Sequence, residues 1–243
     1  MGDMEERVKS YWTRRAHDFG TVRRMELEDG ISRRWLFEIE KHVPDRNDLT
    51  ILDVGTGAGY FAVLLANQGY QVSGVDLTPA MIKEAEEIAK GCCGQVTFQV
   101  MDAQNLDYSD ESFDVVIARN LTWTLPRPDL AYKEWMRVLK KGGILLNFDA
   151  DYGQEVRNKE EKSIDKKADV SEFHIGLTEE LRQESDQITL SMDISQERRP
   201  EWDLMQLKEM GFVNCTCDRE AGARILKERN AVDAPVFLLT VEK

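Results

Sequence analysis

Residues 51–59 read Ile51-Leu-Asp-Val-Gly-Thr-Gly-Ala-Gly59, an apolar run followed by three glycines at alternate positions. Such a run is typical of a buried parallel strand, and glycines after it let a ligand approach the backbone. A dinucleotide-binding turn needs its third glycine one position later, where this chain has Tyr60. The stretch therefore predicts a strand, a tight turn and a helix, with a turn better suited to a single nucleoside than to a pyrophosphate. A glycine-rich turn that is merely tight is the alternative.

Short apolar runs and stretches of helical periodicity alternate after this turn. One helix starts at Thr78-Pro79, a capping residue followed by a proline that the first helical position tolerates, and another follows Pro128. Lys140-Lys-Gly-Gly143 is expected to end the second of these helices. The alternation is typical of an α/β fold with a doubly wound, mostly parallel sheet. Further strands are predicted at 71–76, 96–101, 113–118, 144–148, 212–217 and 235–241.

The composition favours a small-molecule substrate. The chain of 243 residues has 45 acidic and 32 basic residues, and its formal net charge of -13 disfavours binding to nucleic acid or anionic lipid. No apolar run is long enough to span a bilayer, and no secretory signal is visible. The 4 cysteines match neither a zinc site nor a disulfide framework. We therefore expect a cytoplasmic protein, monomeric or homodimeric, that does not bind membranes.

Two aspartates stand beyond the carboxyl ends of predicted strands, where ligands of a doubly wound sheet bind. Asp76 ends the second strand, where its carboxylate can accept hydrogen bonds from both hydroxyls of a ribose. Asp102 follows the third strand with Ala103 behind it, so a carboxylate and a backbone N–H are available to an adenine edge. Each aspartate is also a common turn residue, and that role is the alternative.

Together these motifs resemble the class I S-adenosylmethionine-dependent methyltransferases, and among them the methyltransferase type 11 group, which includes enzymes of ubiquinone and menaquinone biosynthesis. The resemblance covers residues 50–148, and Lys141 stands where the family usually has proline. The motifs that carry it are Leu52-Asp-Val-Gly-Thr-Gly-Ala-Gly59, Gly74-Val-Asp76, Thr78-Pro-Ala-Met81, Asp102-Ala103, Ser112-Phe-Asp-Val-Val116 and Arg137-Val-Leu-Lys-Lys-Gly-Gly143.

The resemblance implies S-adenosylmethionine as the cofactor and assigns roles to several residues. The glycine turn would surround the methionine portion, Asp76 would hold the ribose, and Asp102 with Ala103 would face the adenine. Arg119 and Asn120 would border the methyl group that is transferred. The resemblance also implies the strand order 3-2-1-4-5-7-6, with the last strand antiparallel. The implied cofactor-binding residues are Asp53, Gly55, Thr56, Gly57, Gly59, Asp76, Leu77, Met81, Asp102, Ala103, Arg119, Asn120 and Tyr11.

The chain is expected to form a single domain with an N-terminal helical lid like that of the relatives. The residues that would close over the cofactor and the substrate and exclude water are Tyr11, Trp12, Arg15 and Phe19. A helix packed permanently on the sheet is the alternative. The predicted parts of domain 1–243 are the lid at 1–45, the cofactor-binding core at 46–150, a helical cap insertion at 151–200 and the last strands at 201–243.

The acceptor pocket is expected between the lid and the end of the fourth strand. Its candidate residues are Trp12, Phe19 and Trp123, and core packing is an equal alternative for Trp123.

A general base is needed only if the acceptor must lose a proton. The candidates are His17, His174, Asp149 and Asp151, each of which is more often structural. Asp149 and Asp151 with Asn120 would offer the oxygen ligands that magnesium prefers. Two carboxylates after a strand are usually loop residues, so no metal is predicted.

The sequence thus predicts an enzyme that transfers a methyl group from S-adenosylmethionine to a small molecule by direct in-line displacement. Arg119-Asn-Leu-Thr122 is not the Asn/Asp-Pro-Pro-aromatic sequence expected for methylation of adenine or glutamine amino groups. The chain also lacks the Pro-Cys dipeptide of cytosine C5 enzymes. The alternatives are a non-catalytic cofactor-binding or partner-binding protein on the same fold and, after it, a nicotinamide-dependent oxidoreductase.

Overall fold

The computed structural model describes residues 2–46, 48–161, 175–227 and 235–243, and these form a seven-stranded sheet. The strand order is β3-β2-β1-β4-β5-β7-β6, with β7 antiparallel to both of its neighbours and the other pairs parallel. The α/β fold and the strand order that the family resemblance implies are therefore confirmed. The strands are β1 (Thr50–Val54), β2 (Gln71–Asp76), β3 (Val96–Val100), β4 (Phe113–Arg119), β5 (Leu139–Ala150), β6 (Cys215–Asp218) and β7 (Val236–Glu242).

Helices cover both faces of this sheet, as the alternating pattern predicts. None of the described helices is long and apolar enough to cross a membrane. The helices are α1 (Gly2–Glu28), α2 (Gly30–Glu40), α3 (Tyr60–Ala66), α4 (Pro79–Ala89), α5 (Pro128–Val138), α6 (Tyr152–Glu161), α7 (Glu179–Ser191), α8 (Glu201–Glu209) and α9 (Ala221–Leu226), with short 3₁₀ turns at Thr122–Thr124 and Asp193–Gln196.

The central strand β1 contributes to two hydrophobic cores, one on each face of the sheet. Ile51 belongs to the core under α2, α3 and α9, which includes Trp35. Leu52 belongs to the core under α5 and α8, which includes Trp135. Successive strand residues point to opposite faces, so a strand covered on both faces is apolar at every position. This arrangement explains why Ile51, Leu52 and Val54 are all apolar, with Asp53 as the buried polar exception.

The boundary between α5 and β5 differs from the expectation. Lys140-Lys-Gly-Gly143 was expected to be a turn that ends the helix, but α5 ends at Val138 and these residues lie inside β5. The register of β4 against β5 shifts at this point, between the pairs that start from Phe113 and Val115. The Lys140 ammonium donates to Asp114 Oδ2 on the neighbouring strand at 2.8 Å. The lysine therefore stabilises a strand irregularity rather than a helix end.

A buried ionic cluster joins β5 to α8. The Arg199 side chain is 2% exposed, and its guanidinium lies 3.3 Å from Asp149 and 2.8 Å from Asp203, both fully buried. Arg199 Nη2 also donates to Thr122 Oγ1 at 2.7 Å, and Tyr132 donates to Asp203 Oδ1 at 2.6 Å. A buried charge needs a partner of opposite sign, so Arg199 compensates two carboxylates at once.

Replacing Arg199 by methionine is expected to destabilise the fold strongly. The Arg199→Met variant keeps an unbranched apolar stem but leaves Asp149 and Asp203 buried without a cation, which costs about 3–5 kcal/mol of unfolding free energy. Urea unfolding of the purified variant measures this loss. The matched control is Arg198→Met, because the Arg198 side chain is 85% exposed, and we expect it to change stability by less than about 0.5 kcal/mol. Equal stabilities of the two variants would contradict the assignment.

Candidate functional site

A cavity opens where β1, β2 and β4 end, between the sheet and α1. The structure brings to it most of the residues singled out from the sequence. Their roles stay predictions, but their common placement fits one ligand site. The predicted residues that line the cavity are Trp12, Phe19, Asp53, Gly55, Thr56, Gly57, Asp76, Leu77, Met81, Asp102, Ala103, Arg119, Asn120 and Trp123.

The glycine turn at the floor of the cavity is held by a buried carboxylate. Asp53 Oδ2 accepts hydrogen bonds from Thr56 Oγ1 at 2.6 Å and from the Ala62 backbone N–H at 3.0 Å. Gly55 and Gly57 both have positive φ, the left-handed region that favours glycine. Burial raises the pKa of Asp53 to about 7, against the opposing effect of these hydrogen bonds. The turn therefore carries a carboxyl group that titrates near neutral pH.

Asp76 connects the end of β2 to the same turn. Its Oδ2 accepts from the Gly57 N–H at 3.0 Å, and its Oδ1 accepts from the Thr78 N–H at 2.8 Å. Burial raises the pKa of this carboxyl group as well. Each carboxylate oxygen can accept more than one hydrogen bond, so hydroxyl groups of a ligand can add to the two backbone donors.

Asp102 lies at the end of β3 and shapes the loop beside the cavity. Its Oδ1 accepts from the backbone N–H and from the side-chain amide of Gln104, at 2.9 and 3.2 Å. The Gln104 side chain also lines the cavity and accepts from the Arg127 N–H at 2.8 Å. Asp102 therefore acts as a turn residue and also lines the cavity.

A charged cluster from α1 and β4 lies beside the turn, and the sequence reasoning found only part of it. Arg23 and Arg119 both pair with Glu26, which is fully buried, and Arg119 Nη1 lies 3.5 Å from its carboxylate. The Arg119 guanidinium stacks 4.4 Å from the Trp35 ring, and Arg23 stacks 4.4 Å from the Phe19 ring. The i, i+3 spacing of Arg23 and Glu26 was the signal available in the sequence.

Asn120 presents a buried acceptor in the cavity wall. Its backbone has a φ of +54°, and its backbone carbonyl accepts from Trp123 Nε1 at 2.9 Å. Its side-chain Oδ1 is buried and has no hydrogen-bond partner among the described residues. Because buried polar atoms are normally paired, this atom fits a donor supplied by a ligand.

Aromatic pairs form the outer walls of the cavity. Trp12 and Phe19 of α1 pack edge to face, with ring centroids 5.4 Å apart. Trp123 lies 5.1 Å from Tyr152 at the start of α6. The sequence does not predict Tyr152 as a site residue, because its position next to Trp123 depends on where β5 ends and α6 begins in the folded chain.

Two predicted cofactor-binding residues lie outside the cavity lining. Tyr11 is buried in a hydrophobic cluster with Ile188 and Met192, because one residue along a helix turns the side chain by about 100° away from the direction of Trp12. Gly59 serves packing: a Cβ there would lie 2.9 Å from that of Ala85 on α4. Neither placement supports contact with the cofactor.

Three of the four candidate bases, His17, Asp149 and Asp151, are not in the cavity lining either. The His17 side chain is 80% exposed and pairs with Glu84 at 3.2 Å. Asp149 belongs to the buried Arg199 cluster, and Asp151 accepts from the Gln154 N–H at the start of α6. His174 lies outside the described residues. The structure therefore gives none of the first three a position against a reacting group.

A mostly parallel sheet with a cavity where β1, β2 and β4 end defines a Rossmann-like α/β protein. Comparisons with known sequences narrow the class for the central part of the chain. A family model described as a methyltransferase domain matches residues 52–147. Residues 52–147 therefore contain a methyltransferase domain, and the chain is similar to class I S-adenosylmethionine-dependent methyltransferases that include enzymes of ubiquinone and menaquinone biosynthesis.

Curated relatives match mainly through the cofactor-binding core. The chain is 39% identical over 103 residues to 2-methyl-6-phytyl-1,4-hydroquinone methyltransferase of Synechocystis, covering 41% of this chain and 31% of that enzyme. It is 30% identical over 156 residues to a ubiquinone/menaquinone biosynthesis C-methyltransferase of Citrifermentans bemidjiense, covering 61% and 66%. The match spans only 31% of the Synechocystis enzyme, 25% of an arsenite methyltransferase of Halobacterium salinarum and 53% of a phosphatidylethanolamine N-methyltransferase of Cereibacter sphaeroides.

Solved structures share the fold over more of the chain. Phosphoethanolamine N-methyltransferase 2 of Haemonchus contortus, solved with S-adenosyl-L-methionine, superposes with a TM-score of 0.60 at 20% identity, covering 86% of this chain and 51% of that one. A putative methyltransferase of Haloferax volcanii, solved with the Trm112 activator, superposes with a TM-score of 0.63 at 18% identity, covering 94% and 98%. These likenesses show the fold.

The cavity fits S-adenosylmethionine, the cofactor of this family. The cofactor carries an ammonium, a carboxylate and two ribose hydroxyls. The cavity offers carboxylates at Asp53 and Asp76, guanidinium groups at Arg23 and Arg119, and the unpartnered oxygen of Asn120.

Cofactor binding is expected to release protons near neutral pH through Asp53. A cationic ammonium beside Asp53 lowers the pKa of this carboxyl group from its value of about 7 in the free protein. Affinity for S-adenosylhomocysteine should therefore rise as the pH approaches 7 from below and level off above it. At pH 7, Asp53 should account for up to about half a proton released per ligand.

Calorimetric titrations in two buffers of different ionisation enthalpy measure this release. In Asp53→Asn, which keeps an oxygen acceptor for Thr56 and Ala62, the Asp53 contribution should disappear. Equal proton release by the wild type and the variant at pH 7 would contradict the linkage.

Proposed function

We propose that this protein transfers the methyl group of S-adenosylmethionine to a small-molecule acceptor by direct in-line displacement. The observation that carries the proposal is the composition of one cavity. Its inner walls are the carboxylates and glycines at the strand ends, and its outer walls are aromatic side chains from α1, the Thr122–Thr124 turn and α6.

The inner walls would hold the cofactor in an extended conformation. Asp76 would accept from the ribose hydroxyls, while Asp102 and Ala103 would lie beside the adenine. Asp53 and the backbone of the glycine turn would surround the methionine portion. The methionine portion, the ribose and the adenine would then lie beside the ends of β1, β2 and β3, respectively.

The reaction needs positioning more than proton transfer by the protein. S-adenosylmethionine supplies a methyl group that is already electrophilic, because it is bonded to a sulfonium. Walls that align the acceptor with this group contribute on the order of 7–11 kcal/mol to lowering the barrier. Trp123 and Trp12 would exclude water from the space between them.

We propose that α1 acts as the lid of this cavity. Its contacts include buried ones, through Tyr11 and Glu26, and ion pairs nearer the surface. In the surface pairs, Arg24 contacts Glu84 of α4 at 3.0 Å, His17 contacts the same carboxylate, and Arg14 contacts Glu184 of α7. Surface ion pairs of this kind contribute about 1 kcal/mol or less each, so they can break and re-form as a ligand enters. The 151–200 cap, which contains α7, would complete the acceptor side.

A small metabolite is favoured over nucleic acid as the acceptor. The net charge of -13 opposes an approach by polyanions. The outer walls are made of rings that suit a compact apolar body.

Removing the Asp76 carboxylate is expected to weaken cofactor binding at least about tenfold, since hydrogen bonds to a charged group contribute about 1.5–3 kcal/mol. Calorimetry with S-adenosylhomocysteine tests Asp76→Ala, and Asp76→Asn should lose less because it retains one acceptor. The control is Asp107→Ala, an exposed aspartate outside the cavity lining. Unchanged affinity in a folded Asp76→Ala variant would contradict the proposed binding mode.

Transfer of a radiolabelled methyl group from S-adenosylmethionine to a broad panel of metabolites tests the catalytic part of the proposal. Cofactor binding without transfer to any member would favour the alternative, a non-catalytic cofactor-binding protein. Labelled product that disappears in Asp76→Ala would support the enzyme.

A further inference from the structure

The charges of the cavity lining are unevenly distributed along α1. Cavity-lining residues of this helix are Glu5, Val8, Trp12, Phe19 and Arg23, which recur at the spacing of one helical face. Arg23 and Glu5 are 18 residues apart, which is about 27 Å at the rise of an α-helix. The two charges therefore mark opposite ends of the face that α1 turns toward the cavity.

The guanidinium groups lie at the cofactor end of this face. Arg23 and Arg119 share the buried carboxylate of Glu26 and stack on aromatic rings. The Phe19 ring, on which Arg23 stacks, also lies over Gly57. A Cβ added to Gly57 would be 3.2 Å from the Phe19 ring. This end of α1 thus covers the glycine turn, where the methionine carboxylate of the cofactor would meet both cations.

The acceptor end has a different electrostatic character. Glu5 is half-buried and lines the cavity, and no described residue forms an ion pair or hydrogen bond with its carboxylate. Trp12 and Trp123 line the same cavity, and among the described residues no guanidinium or ammonium group lies over either ring. Indole faces attract cations, and a carboxylate in the same cavity adds to this attraction.

We propose that the acceptor is an organic cation with an apolar ring body, an arylalkylamine in chemical class. The inference rests on the proposed function and specifies its substrate. The ring lies between Trp12 and Trp123, and the ammonium group extends toward Glu5, about 10 Å from Trp12 along the helix axis. Phosphate-bearing and carboxylate-bearing acceptors are excluded from this end, because Glu5 repels them.

A matched series of indoles tests the charge preference. Tryptamine, tryptophol and indole-3-propionate share one ring and differ in carrying a cation, a neutral hydroxyl or an anion. Calorimetry against the protein saturated with S-adenosylhomocysteine is expected to show tryptamine binding at least about tenfold more tightly than tryptophol, with indole-3-propionate weakest. Equal or tighter binding of the alcohol or the acid would overturn the inference.

Two α1 variants test the role of Glu5. Glu5→Gln should weaken tryptamine binding at least about fivefold and leave tryptophol binding and S-adenosylhomocysteine binding unchanged. Glu6→Gln makes the same change of charge at an exposed neighbouring position, and it should leave all three affinities unchanged. Equal effects of the two variants on tryptamine would mean that general charge, rather than a site at Glu5, sets the preference.

The outcomes separate this inference from the function on which it rests. A protein that binds S-adenosylhomocysteine but none of the three indoles would overturn the acceptor class and leave the cofactor site intact. A protein that does not bind S-adenosylhomocysteine would overturn the proposed function itself.

Discussion

The hydrogen bonds of the Asp53 carboxylate hold together the part of the structure on which the rest depends. This one buried group receives the Thr56 hydroxyl from the turn and the Ala62 N–H from the first turn of α3. It therefore fixes how the chain leaves β1 and in which direction α3 starts. Asp76 adds a second attachment from β2 to the same turn through Gly57. A cavity can form above the strand ends because these two carboxylates keep a glycine-rich backbone in one conformation.

The fold was predictable because its signals are local. Apolar strands, the Thr78-Pro79 helix start and the glycine turn each lie within a few consecutive residues, and the resemblance supplied the strand order. The start of β5 was not predictable in this way. Lys140 and the glycines after it have the composition of a helix end. In the structure Lys140 binds the Asp114 carboxylate on the adjacent strand, and Gly142 and Gly143 pair with the backbone of Lys243. A strand irregularity of this kind depends on its partner strand, which sequence periodicity does not contain.

The residues of the candidate site also differ in whether the local sequence could predict their positions. Asp53 and Asp76 lie in the last two residues of their strands and Asp102 lies just after β3, so their convergence could be anticipated from the sheet topology. Arg23 and Glu26 reach the site from a helix that precedes β1 by more than twenty residues, and their meeting with Arg119 is a tertiary event. Tyr11 shows how fine the distinction is on a helix. It lies next to Trp12 in sequence but faces α7, because adjacent helical residues point in different directions.

The continuity of α1 has a thermodynamic consequence for the two halves of the cavity. Gly2–Glu28 is one uninterrupted helix, and the same face covers the glycine turn at one end and the aromatic walls toward the other. If the cofactor orders this helix, the acceptor meets a wall whose conformational entropy has already been lost, and its affinity rises. Reciprocity requires that the acceptor tighten cofactor binding by the same factor. The cofactor and the acceptor, which would both contact this helix, would in this way bind cooperatively. Dissociation of either one would lower the affinity for the other.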